Sequence, residues 1–406
     1  VGPLAARVYG DPSSHVPVVA ITGTNGKTTT ATLLRHLLDH SYHPTGLCST
    51  VHLSLGDQTV PSPRTTVEAS VLQRICALGV ERGIGALVVE VSSHAIALGR
   101  VGAMHFRSAG FTNMDHEHLD FHHTMDEYFE TKAQLFTPAF TDAAVICVDT
   151  PWGVKLADRT EVETLSVSTT GVPADLMATD ITSRDDGIGF QVRSADEQVD
   201  MFLPIPAAVM VQNAMVAIAM ATQQGMDLAT IADRLASAPS PDGRMVSIQR
   251  RTDTLPACIV DFAHTADALS RILTDVRATT PGKLWVIFGS DGERDWEKRP
   301  HMGRAVAAIA DVVYVTDENP RFEDAAAIRH QILAGARAER GDDPNIVEFD
   351  NRAAAVRAAV LNAHPDDTVI ATGKGNEEYQ EIKGEKIPYY DGDVMRAALA
   401  ERGGAQ

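Results

Sequence analysis

Apolar runs alternate with helical patterns along most of this chain, the arrangement that parallel strands with helices packed on the sheet faces produce. Val18 to Thr22 reads as a buried strand, and Thr28 to Leu38 carries apolar residues at helical spacing, so the chain opens as strand, glycine-bearing loop, helix. Ala86 to Val91 predicts a second strand that runs into polar Glu-Val-Ser-Ser-His. Ala143 to Val148 predicts a third, after an amphipathic helix from about Met125 to Phe136. From Glu163 to Leu203 the rhythm breaks into short strands interrupted by Gly, Pro and Asp, which predicts an antiparallel patch. Two helices, about Val211 to Gln223 and Leu228 to Ala236, close this half, and the stretch Ser237 to Arg244, SAPSPDGR, marks a boundary by composition. The rhythm then restarts, with strands near Ile259, Trp285, Val313, Val347 and Val369, each followed by a helix-like segment. The expected fold class is α/β: residues 1–240 as a phosphate-loop domain with a mainly parallel sheet, and residues 241–406 as a Rossmann-like domain.

A length of 406 residues requires more than one core. With 54 acidic against 35 basic residues, the formal charge of −19 opposes nonspecific attraction to nucleic acid or an anionic membrane, and neither is expected as a partner. Cys48, Cys76, Cys147 and Cys258 are far apart, without a C-x-x-C pair, which fits a reducing compartment. No apolar run approaches the roughly 18 residues of a membrane helix, and no signal-peptide core stands at the N-terminus, so a cytoplasmic location is expected. Nothing in the composition sets an oligomeric state.

The loop after the first strand carries the chemistry. Gly23-Thr24-Asn25-Gly26-Lys27-Thr28-Thr29 is a shortened phosphate loop, since the standard form G-x-x-x-x-G-K-[ST] spaces its glycines more widely. A strand ending in glycine-rich backbone and opening a helix aims several N–H groups at one point, where the helix dipole also favours negative charge. Lys27 is placed for the outer phosphates of ATP, and the Thr28 hydroxyl for Mg²⁺. Two further stretches, EVSSHAIALGR (Glu90 to Arg100) and FTNMDHEHLDFHHTMDEYFETKAQLF (Phe111 to Phe136), put a carboxylate, several imidazoles and a lysine just past strand ends. Open α/β sheets bind ligands there.

Together with the short loop, these motifs closely resemble the Mur ligase family, the ATP-dependent amide-bond-forming enzymes of peptidoglycan assembly, and within it the branch that adds the third residue of the stem peptide. Matching pieces continue with Asn213, GRM at Gly243 to Met245, DFAHTADAL at Asp261 to Leu269, FGSDGERDWEKRP at Phe288 to Pro300, ENPR at Glu318 to Arg321 and GKGNEEYQ at Gly373 to Gln380. The resemblance implies that a carboxylate attacks the γ-phosphate of ATP and that an amine displaces phosphate from the mixed anhydride. It implies one Mg²⁺ on Thr28 and Glu90, and a second on Glu90, His118 and Lys132, the lysine carrying a CO₂-derived carbamate. By the same resemblance Lys27, Glu90, His118 and Lys132 are the catalytic set, and Asn213, Arg244, Asp261 and His264 embrace adenine and ribose. Thr65, Thr66, Ser92, His94 and Arg100 lie where the family grips its acceptor. Asn319 and Arg321 would take the carboxylate of an incoming polar or diamino acid, and Glu377 with the Gly373 carbonyl its distal amine.

Val67, His116, Met210, Glu318 and Asn376 depart from the family pattern. Members of this branch also begin with a domain for the UDP end of the acceptor, whereas here the phosphate loop comes almost at once. The expected function is therefore a specialised ligase joining a small-molecule carboxylate without UDP to an amino acid. The alternative is a peptidoglycan ligase for a UDP-linked muramoyl peptide whose first domain lies outside this sequence. An amidating subunit with a glutaminase partner is a further alternative, but such proteins usually carry a four-cysteine zinc ribbon that the scattered cysteines cannot form. A noncatalytic nucleotide-binding protein would have no use for Lys132.

Overall fold

The computed structural model describes residues 1–184 and 186–404. The chain divides into two compact units: Val1–Thr182, Ile188–Pro204 and Met210–Pro239 form the first, and Ser183–Gly187, Ile205–Val209 and Ser240–Gln406 the second.

An eleven-stranded sheet organises the first unit. Its strand Val18–Thr22 is buried at all five positions and lies between Ala86–Glu90 and Ser108–Phe111, parallel to both. The register pairs Ile21 with Glu90 and Thr22 with Phe111, so the three strands deliver Gly23, Glu90 and Thr112 to one edge of the sheet. Ser108–Phe111 was not expected, because four residues containing a glycine carry little strand signal. The glycine has a packing reason: a Cβ on Gly110 would lie 2.6 Å from Met220 Sδ, on the helix Val209–Gln223 that covers this strand. That helix is apolar almost all round and correspondingly buried.

The segment from Glu163 to Leu203 corrects the expected antiparallel patch. Glu163–Ser168 pairs parallel with Ala143–Cys147, and Leu176–Arg184 pairs parallel with Glu163–Ser168. Antiparallel pairing joins Gly187–Arg193 to Gln198–Leu203 at the rim of the same sheet. The Gly-, Pro- and Asp-bearing break between these two strands is a short parallel connection. Asp149 anchors its start by accepting hydrogen bonds from Ser168 Oγ (2.7 Å) and the Thr169 N–H (2.9 Å).

Six strands form the sheet of the second unit, in the order Val246–Gln249, Ala257–Val260, Thr368–Ala371, Leu284–Phe288, Val312–Val315, Ile346–Glu348. All neighbours run parallel except the first pair. The last strand in sequence sits between the second and third, which creates a switch in strand order, the place where such sheets bind ligands beyond the carboxyl ends of their strands. Four of the quoted motifs leave those ends: DFAH after Val260, FGSDG after Ile287, ENPR after Val315 and GKG after Ala371. Arg352 secures the last of them. Fully buried, it is paired with Asp391 at 2.8 Å and donates to the Thr372 carbonyl at 2.7 Å. Among the described residues, no helix is long and apolar enough to cross a membrane.

Candidate active site

The phosphate loop owes its shape to two glycines. Gly23 (φ +150°) and Gly26 (φ +85°) hold positive backbone angles, and a Cβ at either would come within 2.0 Å of a neighbour, Thr112 Oγ1 or Asn213 Oδ1. Asn113 pins the intervening residues: its carbonyl accepts from the Thr24 N–H and its Oδ1 from the Asn25 N–H, both at 2.9 Å. Helix Lys27–Leu38 then starts at Gly26 without a side-chain cap, leaving its first-turn N–H groups to an anion. Lys27 Nζ reaches back to the carbonyls of Gly23 (3.0 Å) and Thr24 (2.8 Å), while Thr28 and Thr29 are buried in the first turn.

Glu90 is completely buried, yet its hydrogen bonds come from uncharged donors: Thr28 Oγ1 at 3.2 Å, Thr50 Oγ1 at 2.8 Å and the Thr50 N–H at 3.1 Å. Burial pushes its carboxyl above the usual range, against the pull of Lys27 and these donors. A buried carboxylate beside hydroxyl oxygens fits a hard divalent cation, which takes a few protein oxygens and completes its shell with phosphate and water. Thr50 lies in no quoted motif and was missed; an isolated threonine after a short strand gives no signal. Among the described residues, no three His, Cys, Asp or Glu side chains converge as a metal centre.

Lys132 Nζ also donates to the Gly23 carbonyl, at 2.9 Å, and lies 4.7 Å from the centre of the Tyr128 ring. Two lysine amines thus meet one carbonyl oxygen. Lys132 is buried, and burial first, then the Lys27 charge, holds its amine well below the ordinary lysine range. His118 opens a short helix at φ +59° and stands edge-on to His94 at 4.8 Å. Burial lowers its pKa, opposed by Glu117 and reinforced by the positive charges of His94, Lys27 and Lys132.

The residues expected at the acceptor are tied to the same edge. Thr66 Oγ1 donates to the Glu90 carbonyl (2.9 Å) and accepts from the Ser92 N–H (3.0 Å); the Thr65 and Thr50 hydroxyl oxygens lie 3.1 Å apart. Ser92 caps the helix Ser93–Ala97 that carries His94, and Arg100 donates to the Thr66 carbonyl at 3.3 Å. Asn213 packs against Gly26, and its carbonyl accepts from Thr30 Oγ1 at 3.3 Å.

In the second unit, the structure gathers Arg244, Asp261 and His264 around Phe262. The Arg244 guanidinium lies 4.2 Å above the Phe262 ring, and His264 stands edge-on to it with Nδ1 2.9 Å from its carbonyl oxygen. Asp261 is buried and accepts from the N–H groups of Met245 (2.8 Å) and Ala263 (2.6 Å), so it fastens the GRM and DFAH loops together. A second cluster holds the residues expected to choose the amino acid. Asn319 Nδ2 donates to Asp291 (3.1 Å) and Glu377 (2.9 Å), Arg321 pairs with Asp291 at 3.1 Å, and buried Lys374 donates to Asn319 Oδ1 (3.0 Å) and Glu377 (2.9 Å). Gly373 stands at φ +100°, and a Cβ there would come within 2.5 Å of Glu318 Oε2. Asp291, Lys374 and Glu381 lie in or beside quoted motifs, yet none was singled out, because the pattern of the motifs does not say which charges face inward.

Residues 21–221 match the Mur ligase middle domain, and residues 243–375 match the Mur ligase, glutamate ligase domain. The UDP-N-acetylmuramoyl-L-alanyl-D-glutamate--2,6-diaminopimelate ligase of Corynebacterium glutamicum is 40% identical over 411 residues, covering 99% of this chain and 78% of that one. The enzyme of the same name from Streptomyces coelicolor is 40% identical over 410 residues, covering 100% and 80%. A solved structure of a ligase so named superposes with a TM-score of 0.73 at 28% identity, covering 99% of this chain and 83% of that one. The chain therefore belongs to the Mur ligase family and is an ATP- and Mg²⁺-dependent ligase that forms amide bonds.

Proposed function

We propose that the ligase joins the free carboxylate of a UDP-N-acetylmuramoyl-L-alanyl-D-glutamate acceptor to the amine of a diamino acid, as the names of its relatives suggest. The acceptor carboxylate attacks the γ-phosphorus and ADP leaves; the amine then attacks the acyl carbon, inorganic phosphate leaves, and the new amide nitrogen gives up a proton. Carboxylate and triphosphate repel each other, so positioning and charge neutralisation carry most of the catalysis. Lys27 and the N–H groups of the first helical turn serve the phosphates. Thr28 and Glu90 would hold Mg²⁺, which supplies further neutralisation when bound. Thr65, Thr66, Ser92, His94 and Arg100 would orient the acceptor, and Asn213, Arg244, Asp261 and His264 the nucleoside.

The observation that carries most weight is the pair of lysines on the Gly23 carbonyl. Two ammonium groups converging on one oxygen repel, and burial selects Lys132 as the neutral member. A neutral buried amine can add CO₂, and the resulting carbamate would turn Lys132 from a competitor of Lys27 into an anionic ligand beside His118. A second reading keeps this chemistry but uses an acceptor without UDP. The names of the relatives do not support it; the departures at Val67, Met210 and Asn376 are its grounds.

ADP release by the purified chain, measured with ATP, Mg²⁺ and a matrix of acceptors and amino acids, tests both. Turnover that needs the UDP-linked acceptor selects the first reading, and turnover only with free glutamyl peptides or small acids selects the second. ATP hydrolysis indifferent to every acceptor would sink the ligase assignment.

A further inference from the structure

Asp275 lies outside every quoted motif and outside both clusters described above. It stands on helix Ala266–Thr279 of the second unit, and its carboxylate accepts hydrogen bonds from the Val209 N–H, at 2.8 Å through Oδ2, and from the Ala208 N–H. Ala208 and Val209 lead into helix Val209–Gln223 and belong to the same unit as Asp275, whereas from Met210 onward that helix belongs to the first unit. The first N–H groups of a helix have no partner within it, and a carboxylate there also meets the positive end of the helix dipole. Asn213 follows Val209 after about 6 Å of helix rise. Its buried side chain is gripped on two sides. Oδ1 stands against Gly26, where a Cβ would come within 2.0 Å, and Nδ2 donates to the sulfur of buried Met210 at 3.7 Å. Thioether sulfur is a weak acceptor, so the place of Met210 matters more to the amide than the strength of that bond.

We infer that Asp275 is a positioning residue for ATP: by holding Ala208 and Val209 it places Met210, and Met210 sets the orientation that Asn213 presents to the phosphate loop. The inference rests on the nucleoside role proposed above for Asn213 and adds the residues that act on ATP through it. Gly26 stands at φ +85° and opens helix Lys27–Leu38, whose first N–H groups serve the phosphates. With no room between Gly26 and the Asn213 amide, a turn of that amide displaces the loop. Two further anchors hold the helix: Gln212 Nε2 donates to Asp149 at 3.2 Å, and Gln223 Nε2 to the Ala144 carbonyl at 2.8 Å. They keep the helix in place when Asp275 is lost, so the change falls on the first turn and not on the fold. The departure from the family pattern at Met210 thereby gains a function, as the acceptor for the Asn213 amide.

Calorimetric binding of the β,γ-methylene analogue of ATP with Mg²⁺ tests this independently of the acceptor. Asp275→Ala should raise the Kd about threefold to tenfold, within the range that a lost helix cap spans. Asp275→Asn keeps an acceptor for the Val209 N–H and should restore most of the affinity. Met210→Leu conserves volume while removing the sulfur, and should raise the Kd about twofold to fivefold. The two changes together should weaken binding by less than the product of their separate effects, because they act along one route. A cap with a structural role alone would lower the thermal midpoint of Asp275→Ala and leave its Kd unchanged. That result overturns the inference, as do strictly multiplicative effects. If Asp275→Ala does not fold, hydrogen exchange in the unaltered chain decides: the analogue should slow exchange at Ala208 and Val209 by about threefold or more, since coupling is reciprocal, and unchanged exchange overturns the inference. An Asn213→Ala variant with unaltered Kd removes the nucleoside role of Asn213 and this inference with it, while the ligase reading, which ADP release tests, stands.

Discussion

Glu90 at the phosphate loop and Arg321 in the second unit are charged groups held in opposite ways. Glu90 is met by two hydroxyls and a backbone N–H, and Lys132 by the Gly23 carbonyl, so both buried groups rest on neutral dipoles. Arg321, Lys374 and Arg352 are each met by a carboxylate. Neutral partners leave a site electrostatically open, ready for the charge of a triphosphate and a metal ion. Charged partners close it, and a ligand must then match or break an existing pair. The first arrangement suits chemistry common to a whole family; the second suits discrimination between similar amino acids.

The largest expected effects test the open site. Lys27→Ala should lower kcat by about 10³-fold, the scale on which removing one preorganised electrostatic contact acts. Lys132→Ala should fall by about 10²- to 10³-fold, with partial recovery when a short carboxylate such as acetate is added to the assay. Full activity in the alanine variant would take Lys132 out of the mechanism. The closed site should respond first in stability: Arg352→Ala strands buried Asp391 and should cost about 3–5 kcal/mol in denaturant unfolding. A loss under about 1 kcal/mol would mean that the pair is not what holds the GKG loop. Asn319→Ala, which removes the hub of the amino-acid cluster, should raise the amino-acid KM about tenfold and leave the KM for ATP unchanged. Equal changes in both would dissolve the division of labour between the two sites.

The smallest effect concerns pH. Above about 7, Glu318 is ionised and adds attraction for a distal ammonium group, so the KM for a diamino acid should fall as pH rises through that value. The change should be on the order of threefold to tenfold and absent in Glu318→Gln, which separates it from titration of the attacking amine. The same displacement from the ordinary 4.5 to about 7 means that the folded state resists ionising Glu318, which costs stability as pH climbs across that interval.

How much of this was legible in the sequence follows from the same contrast. The phosphate loop is one contiguous run whose glycines, lysine and threonine act where they stand, and the strand and helix around it show plain periodicity. Asn113 stands inside a quoted motif, which does not show that it pins the loop, and Thr50 stands in none, because a single polar residue in a short loop carries no pattern. The β/α alternation gave the fold class, but Glu163 to Leu203 misled because Pro and Asp mark any tight turn and do not distinguish a hairpin from a short parallel connection. In the second unit, ENPR and GKG were visible as motifs. The charge balance between Asp291, Glu318, Arg321 and Lys374 was not, because it depends on three strand ends that only the sheet order brings together.

The close fit of Gly26 against Asn213 bears on how the protein is made. The two ends of that contact enter the growing chain far apart; the neighbouring Thr30–Asn213 hydrogen bond spans 183 positions. At typical translation rates, roughly ten to forty seconds separate their synthesis. Throughout that interval the nascent loop has its glycines and its lysine but lacks the side chain that Gly26 is shaped to accommodate. Nucleotide capture by ribosome-bound chains should therefore begin only once the helix carrying Asn213 has left the exit tunnel.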